Sequence, residues 1–207
     1  TGGLYARNAD GSGGRVEVNG GSVSLAGGTV DASGAAGMAG GEVSVTGDSV
    51  SVGNGSSIDV SGTEAGSVEL LGASSAALDG SVAAESVVIG STASVDASGS
   101  GQGGSVRVGG GFQGNEADIE NAESVIVESG ALILADSAEG DAGRAIIWAD
   151  GSTTFEGSIS TQAFGQVGNG GFVEVSGKQD LYYNGVVSTL SANGNNGSLL
   201  LDPTDVV

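Results

Sequence analysis

The sequence predicts an all-β fold: a right-handed parallel β-helix (β-solenoid) with three short strands per rung of about 26 residues. Three observations predict it. A single short phrase recurs along the 207-residue chain, apolar residues alternate with polar ones at period two, and 42 glycines punctuate the alternating pieces.

The phrase is two small residues, any residue, then two apolar residues one position apart. It reads Gly-Gly-Arg-Val-Glu-Val at 13–18, Gly-Gly-Glu-Val-Ser-Val at 40–45 and Ala-Gly-Ser-Val-Glu-Leu at 65–70. It returns as Gly-Gly-Ser-Val-Arg-Val at 103–108, Ala-Gly-Arg-Ala-Ile-Ile at 142–147 and Gly-Gly-Phe-Val-Glu-Val at 170–175. Asn-Gly-Ser-Leu-Leu-Leu at 196–201 begins a seventh copy. The first apolar positions, Val16, Val43, Val68, Val106, Ala145, Val173 and Leu199, are spaced by 27, 25, 38, 39, 28 and 26 residues.

Each unit carries two further alternating pieces. The second runs Val23-Ser-Leu25, Val50-Ser-Val52, Val87-Val-Ile89, Val125-Ile-Val127 and Leu181-Tyr-Tyr183, with Phe155 in the corresponding place of the fifth unit. The third begins at Val30, Ile58, Val95, Leu132, Ile159 and Val187. Alternation at period two in Val- and Ile-rich runs is the strand signal. A fixed order of three strands that cannot bury its apolar face alone requires stacked rungs, with like strands about 4.8 Å apart in parallel. Right-handed winding is the rule for parallel crossovers. A β-sandwich fits less well, because its strands do not repeat one phrase in fixed order.

Residues 1–207 therefore read as a single β-helix segment of about six rungs plus a partial seventh. The two long spacings place insertions near 71–85 and 112–123, each expected as a hairpin or loop leaving a corner of the rod. The seventh rung is expected to stop after its first strand, as in a fragment of a longer chain. Glycine is expected at tight turns, where only it reaches positive φ without steric cost.

Composition excludes several functions. There is no His and no Cys, which removes imidazole bases, thiolate nucleophiles, zinc sites and disulfides. A formal charge of −20 opposes nucleic acid and anionic lipid. No apolar run approaches the roughly 18–20 residues that span a bilayer, so no membrane insertion is expected. The five basic residues are spread along the chain, which disfavours a polysaccharide lyase on this fold. No catalytic residue, cofactor or metal is assigned, and the chain is not expected to be an enzyme.

The remaining candidates are few. Asp31, Asp59 and Asp96 fall in one column of successive third strands. They read either as a Ca²⁺ ladder or as a solvated face with Ser hydroxyls beside it. The second reading is preferred, since the Gly-Gly-x-Gly-x-Asp calcium repeat is absent. Glu69 and Arg107 fall in one outward column and are expected to pair. Trp148 follows the inward Ile147 and is expected to face outward or into a turn, where it is the candidate for glycan contact. Asn54 and Asn196 head Asn-Gly-Ser tripeptides that fit the N-glycosylation pattern.

The stretch Gly-Asn-Gly-Gly-Phe-Val-Glu-Val-Ser-Gly at 168–177, then Gly185-Val-Val-Ser-Thr189, then Gly197-Ser-Leu-Leu-Leu-Asp-Pro-Thr-Asp-Val206, resembles filamentous-haemagglutinin-like exoproteins. These are the large secreted partners of bacterial two-partner secretion systems. The Leu-Leu-Asp-Pro element after a Gly-Gly-x-Val-Glu-x-Ser-Gly rung is its most specific part. The resemblance implies export through an outer-membrane transporter to the cell surface or medium. It also implies a role in adhesion, aggregation or biofilm, through contacts with host cells, polysaccharide or other copies. The Asn-Pro motifs of that family's secretion domain are absent, so the resemblance is to the shaft. The alternative is the subunit of an extracellular β-solenoid filament that self-associates end to end. A polysaccharide-active β-helix enzyme is a lesser one.

Overall fold

Three parallel sheets of seven strands each run the length of the protein. The structure is a computed structural model and describes residues 2–72 and 85–206. The chain visits the sheets in a fixed order, so each circuit adds one strand to each.

The first sheet contains the recurring phrase: Arg15–Asn19, Glu42–Gly47, Ser67–Gly72, Ser105–Val108, Arg144–Ala149, Phe172–Gly177 and Ser198–Leu200. The second contains Ser22–Leu25, Ser49–Val52, Ser86–Ile89, Ser124–Val127, Ser152–Phe155, Asp180–Tyr183 and Asp205–Val206. The third contains Gly3–Tyr5, Thr29–Asp31, Ser57–Asp59, Ser94–Asp96, Leu132–Leu134, Ser158–Ser160 and Val186–Ser188. This is a parallel β-helix with three strands per rung, as the repeat predicts. Phe155 occupies the second strand of its rung, opposite Val127 and Tyr183.

Register follows the repeat. Val43 pairs with Val16 and Val68, and Val106 with Val68 and Ala145. These inward columns form a narrow core in which Val68, Val106, Ala145 and Val173 are all 0% exposed. Phe155 is its largest buried side chain and stacks in a tilted contact on Tyr183, with ring centroids 5.3 Å apart. Each Val fully withdrawn from water stabilises the stack by about 1.5–3 kcal/mol before entropy is counted.

Four details differ from the sequence reading. Leu4 and its neighbours form a third-sheet strand against Thr29–Asp31 that alternation alone does not reveal in so short a piece. The last rung does not stop after its first strand: Asp205 and Val206 pair with Asp180 and Leu181 in the second sheet. The insertion at 112–123 does not leave the rod but folds back over it. Of the other insertion, near 71–85, residues 73–84 lie outside the described residues.

The fourth difference concerns glycine. One position of the repeat is Gly in every copy: Gly14, Gly41, Gly66, Gly104, Gly143, Gly171 and Gly197. None of the seven has positive φ. A Cβ on Gly66 would sit 1.8 Å from the Gly41 carbonyl oxygen, and one on Gly104 2.1 Å from that of Gly66. Those same carbonyls accept the next rung's N–H groups, Ser67 to Gly41 at 3.0 Å and Ser105 to Gly66 at 3.1 Å. Backbone packs directly on backbone there, and any side chain would hold the rungs apart. Among the described glycines, positive φ falls at other positions, such as Gly55 and Gly130 in turns.

Candidate functional site

Six of these seven glycines, all but Gly14, line an open groove of about 890 Å³ that crosses several rungs at the start of the first sheet. Glu42, Asp141, Arg144, Asn169 and Phe172 stand along it. Its edge is stiffened by a short side-chain ladder. The backbone N–H and Nδ2 of Asn169 both donate to Asp141 Oδ1, at 2.7 and 3.0 Å. Asn195 donates in the same way to Asn169 Oδ1, at 3.1 Å for each bond. Stacked rungs bring these residues together although they are 26 and 28 positions apart.

Beside the groove, residues 112–123 lie across the outer face of the first sheet. Gly109, with φ +83°, turns the chain out of the sheet. The Ala122 N–H returns to the Gly109 carbonyl at 2.6 Å and closes the excursion. A 3₁₀ turn at Phe112–Gly114 makes the main contact. Phe112 meets Phe172 edge-on, with centroids 5.7 Å apart. Gly114 lies against the Trp148 indole, so closely that a Cβ there would be 2.6 Å from the ring. Arg107 is gripped from both sides, its Nη1 3.2 Å from Glu69 Oε1 and its Nη2 3.3 Å from Glu116 Oε2. The expected Glu69–Arg107 pair is therefore present, and the segment adds a second carboxylate to it.

Gln113 reaches farthest. Its backbone N–H donates to Glu174 Oε2 at 3.1 Å, and its Nε2 donates to Asp202 Oδ2 at 3.1 Å. Among the described residues it is the only one other than glycine with positive φ, at 52°. Such a conformation is uncommon for a side chain of this length and persists where surrounding contacts impose it.

Glu174 is the unexpected member. It sits in an outward column of the first sheet, between Ile146 and Leu200. It is nevertheless 0% exposed, because the 112–123 segment covers it. Its Oε1 has no hydrogen-bond partner. Burial pushes its carboxyl above the usual glutamate range, and the nearby Asp202 adds to this. The Gln113 N–H, Ser176 and Arg144 pull the other way.

Trp148 is corrected by the same cover. It projects from the outer side of its strand, as expected, but is only 5% exposed. Its Nε1 donates to Asp150 Oδ1 at 3.1 Å, and Asn121 Nδ2 donates to the same oxygen at 3.3 Å. An indole under a loop offers no open shelf to a sugar ring. Phe172 is the aromatic that lines the groove.

The Asp31, Asp59 and Asp96 column exists in register. Each Oδ1 accepts the backbone N–H two residues on, from Ser33 at 2.9 Å, Ser61 at 2.8 Å and Ser98 at 2.8 Å. These are side-chain turns that fix the strand end. The Ser33 hydroxyl and N–H, with a smaller contribution from Arg7, hold the Asp31 carboxyl below its usual value against a small opposing effect of burial. Among the described residues, no group of three or more acidic side chains gathers closely enough to hold a metal ion.

Asn54 and Asn196 are both exposed. Their tripeptides differ. Ser56 is 2% exposed and donates to the Leu25 carbonyl at 2.7 Å, whereas Ser198 is exposed. Among the described residues, no helix is long and apolar enough to cross a membrane.

No family model matches the chain, and no curated protein matches it.

Proposed function

We propose that this segment is the shaft of a secreted bacterial surface adhesin, acting in adhesion, aggregation or biofilm formation after export through an outer-membrane transporter. The observation that supports the reading is the stacking of three seven-stranded parallel sheets, with the Leu-Leu-Asp-Pro element in the last of the described rungs. A rod of this kind carries other parts of a protein away from their anchor. Its strength lies in repetition rather than in a convergent cluster of reactive groups. The net charge of −20 suits a long exposed rod, since like charge keeps neighbouring rods apart.

The test is an in-frame deletion of whole rungs, such as residues 13–64, from the native gene. Surface-exposed protein of reduced length, with weakened adhesion, aggregation or biofilm, is the expected outcome. A protein confined to the cytoplasm, or a deletion that leaves all three behaviours unchanged, would overturn the reading.

A further inference from the structure

We propose that residues 112–123 are a proton-dependent clasp, which holds the outer face of the first sheet while the Glu174 carboxyl is protonated and loosens when it ionises. This does not depend on the adhesin reading.

The geometry carries the inference. Glu174 is a fully covered carboxyl with one oxygen held by the Gln113 N–H and the other without a partner. A neutral carboxyl tolerates that place, because only one polar group is left unmatched. An ionised one does not, since a buried charge needs several partners to replace its water. Ser176 eases the ionised form in part, but the charged neighbours do not supply the rest. Glu116, from the clasp itself, is turned toward Arg107, which is already shared with Glu69. Asp202, from the last rung, is bound by the same Gln113 and adds negative charge. Arg144, on the adjacent strand, acts on Glu174 favourably but makes no ion pair with it within 4 Å among the described residues. Asp150, under the same segment, serves Trp148 and Asn121. Opening the clasp lets water reach Glu174 and resolves the mismatch.

The sign follows from burial. The carboxyl is raised in the closed form and ordinary in the open one. Closure is therefore fully favoured below the ordinary glutamate value and is lost as pH rises through the raised one. Between the two values the closed-to-open ratio falls by about tenfold per pH unit. Opening also withdraws Phe112 from Phe172, which bares an aromatic edge on the axial groove.

The protein contains its own reporter. Trp148 is the single tryptophan, and the clasp residue Gly114 lies on its ring. Emission of the whole chain is followed from pH 4 to pH 8, with far-UV circular dichroism to show that the rod persists. The expected result is a red shift as pH rises in the wild type, and a blue, pH-independent spectrum in Glu174→Gln. Asp202→Asn should move the transition to lower pH, and Asp150→Asn should leave its midpoint in place. Amide exchange of Ala122 in the wild type, corrected for intrinsic rate, gives the same reading without any variant: greater protection in acid. Ala122 protection that does not change with pH would overturn the proposal, as would Glu174→Gln titrating like the wild type.

Discussion

Gln113 and Glu174 are 61 residues apart in sequence and 3.1 Å apart in space. Their contact joins an insertion of one rung to a strand two rungs further along. It turns an outward strand position into a buried one. The segment is therefore part of the rod's packing, with a small hydrophobic layer of its own formed by Phe112, Ile146, Trp148 and Phe172.

The Glu69–Arg107–Glu116 cluster ties this segment to the strand Ser105–Val108. Its side chains are 20–33% exposed, so each pair is worth about 0.2–1 kcal/mol. A double-mutant cycle of Arg107→Met and Glu116→Gln, read by urea denaturation, should give a coupling in that range that shrinks in high salt. A coupling of zero at low salt would show that the Glu116 contact adds nothing.

Phe155 is the largest fully buried side chain and is 0% exposed. Phe155→Ala should cost about 3–5 kcal/mol, because the stacked rungs above and below restrain collapse around the cavity. The urea midpoint measures it. A loss under 1 kcal/mol would mean that the stack relaxes freely.

The invariant glycine position makes a sharper claim. Gly104→Ala places a methyl 2.1 Å from the Gly66 carbonyl. It should cost several times more than Gly20→Ala, where the nearest atom is a Val23 methyl at 3.4 Å. The cost at Gly104 is expected at or above the ~1–3 kcal/mol of ordinary overpacking, since backbone must move. Equal melting temperatures for the two variants would remove the claim.

Asp31 has a carboxyl held below its ordinary value by Ser33. Its contribution to stability is therefore present above the unfolded value and lost as pH falls through the lower folded one. Asp31→Asn should be less stable than wild type at pH 7, with the difference vanishing in strong acid. Denaturation curves at pH 7 and pH 2 provide the comparison. A difference that persists in acid would point to packing rather than charge.

Much of this was legible in the sequence, for a physical reason. A β-helix repeats its environment, so Val16, Val43, Val68 and Val106 report the same inward column four times over. The third-strand pieces at Val30, Ile58 and Val95 do the same. What repetition cannot show is an interaction that occurs once. Glu174 reads as an ordinary solvated position of an alternating strand, and its cover comes from a segment some sixty residues earlier. A partial signal was present nevertheless. The run Ala145-Ile-Ile-Trp-Ala149 abandons alternation, which marks a strand buried on both faces. Ile146 at 0% exposure and Trp148 at 5% bear that out. Glycine was recognised as a requirement but attributed to turns. Its main role, at six of the seven column positions, is to let the preceding rung's carbonyl approach, which only adjacent rungs taken together reveal.

The three sheets hold hydrogen bonds that all point along the rod. A tensile load on the axis is therefore carried by bonds pulled end-on, rung by rung, and a single rung interface could part without disturbing its neighbours. The 112–123 segment bridges rungs along that direction, bonded to Arg107 through Glu116 and to Glu174 and Asp202 through Gln113. While closed it bridges successive interfaces, so that a load on the rungs between Arg107 and Asp202 is shared among them until the segment lets go.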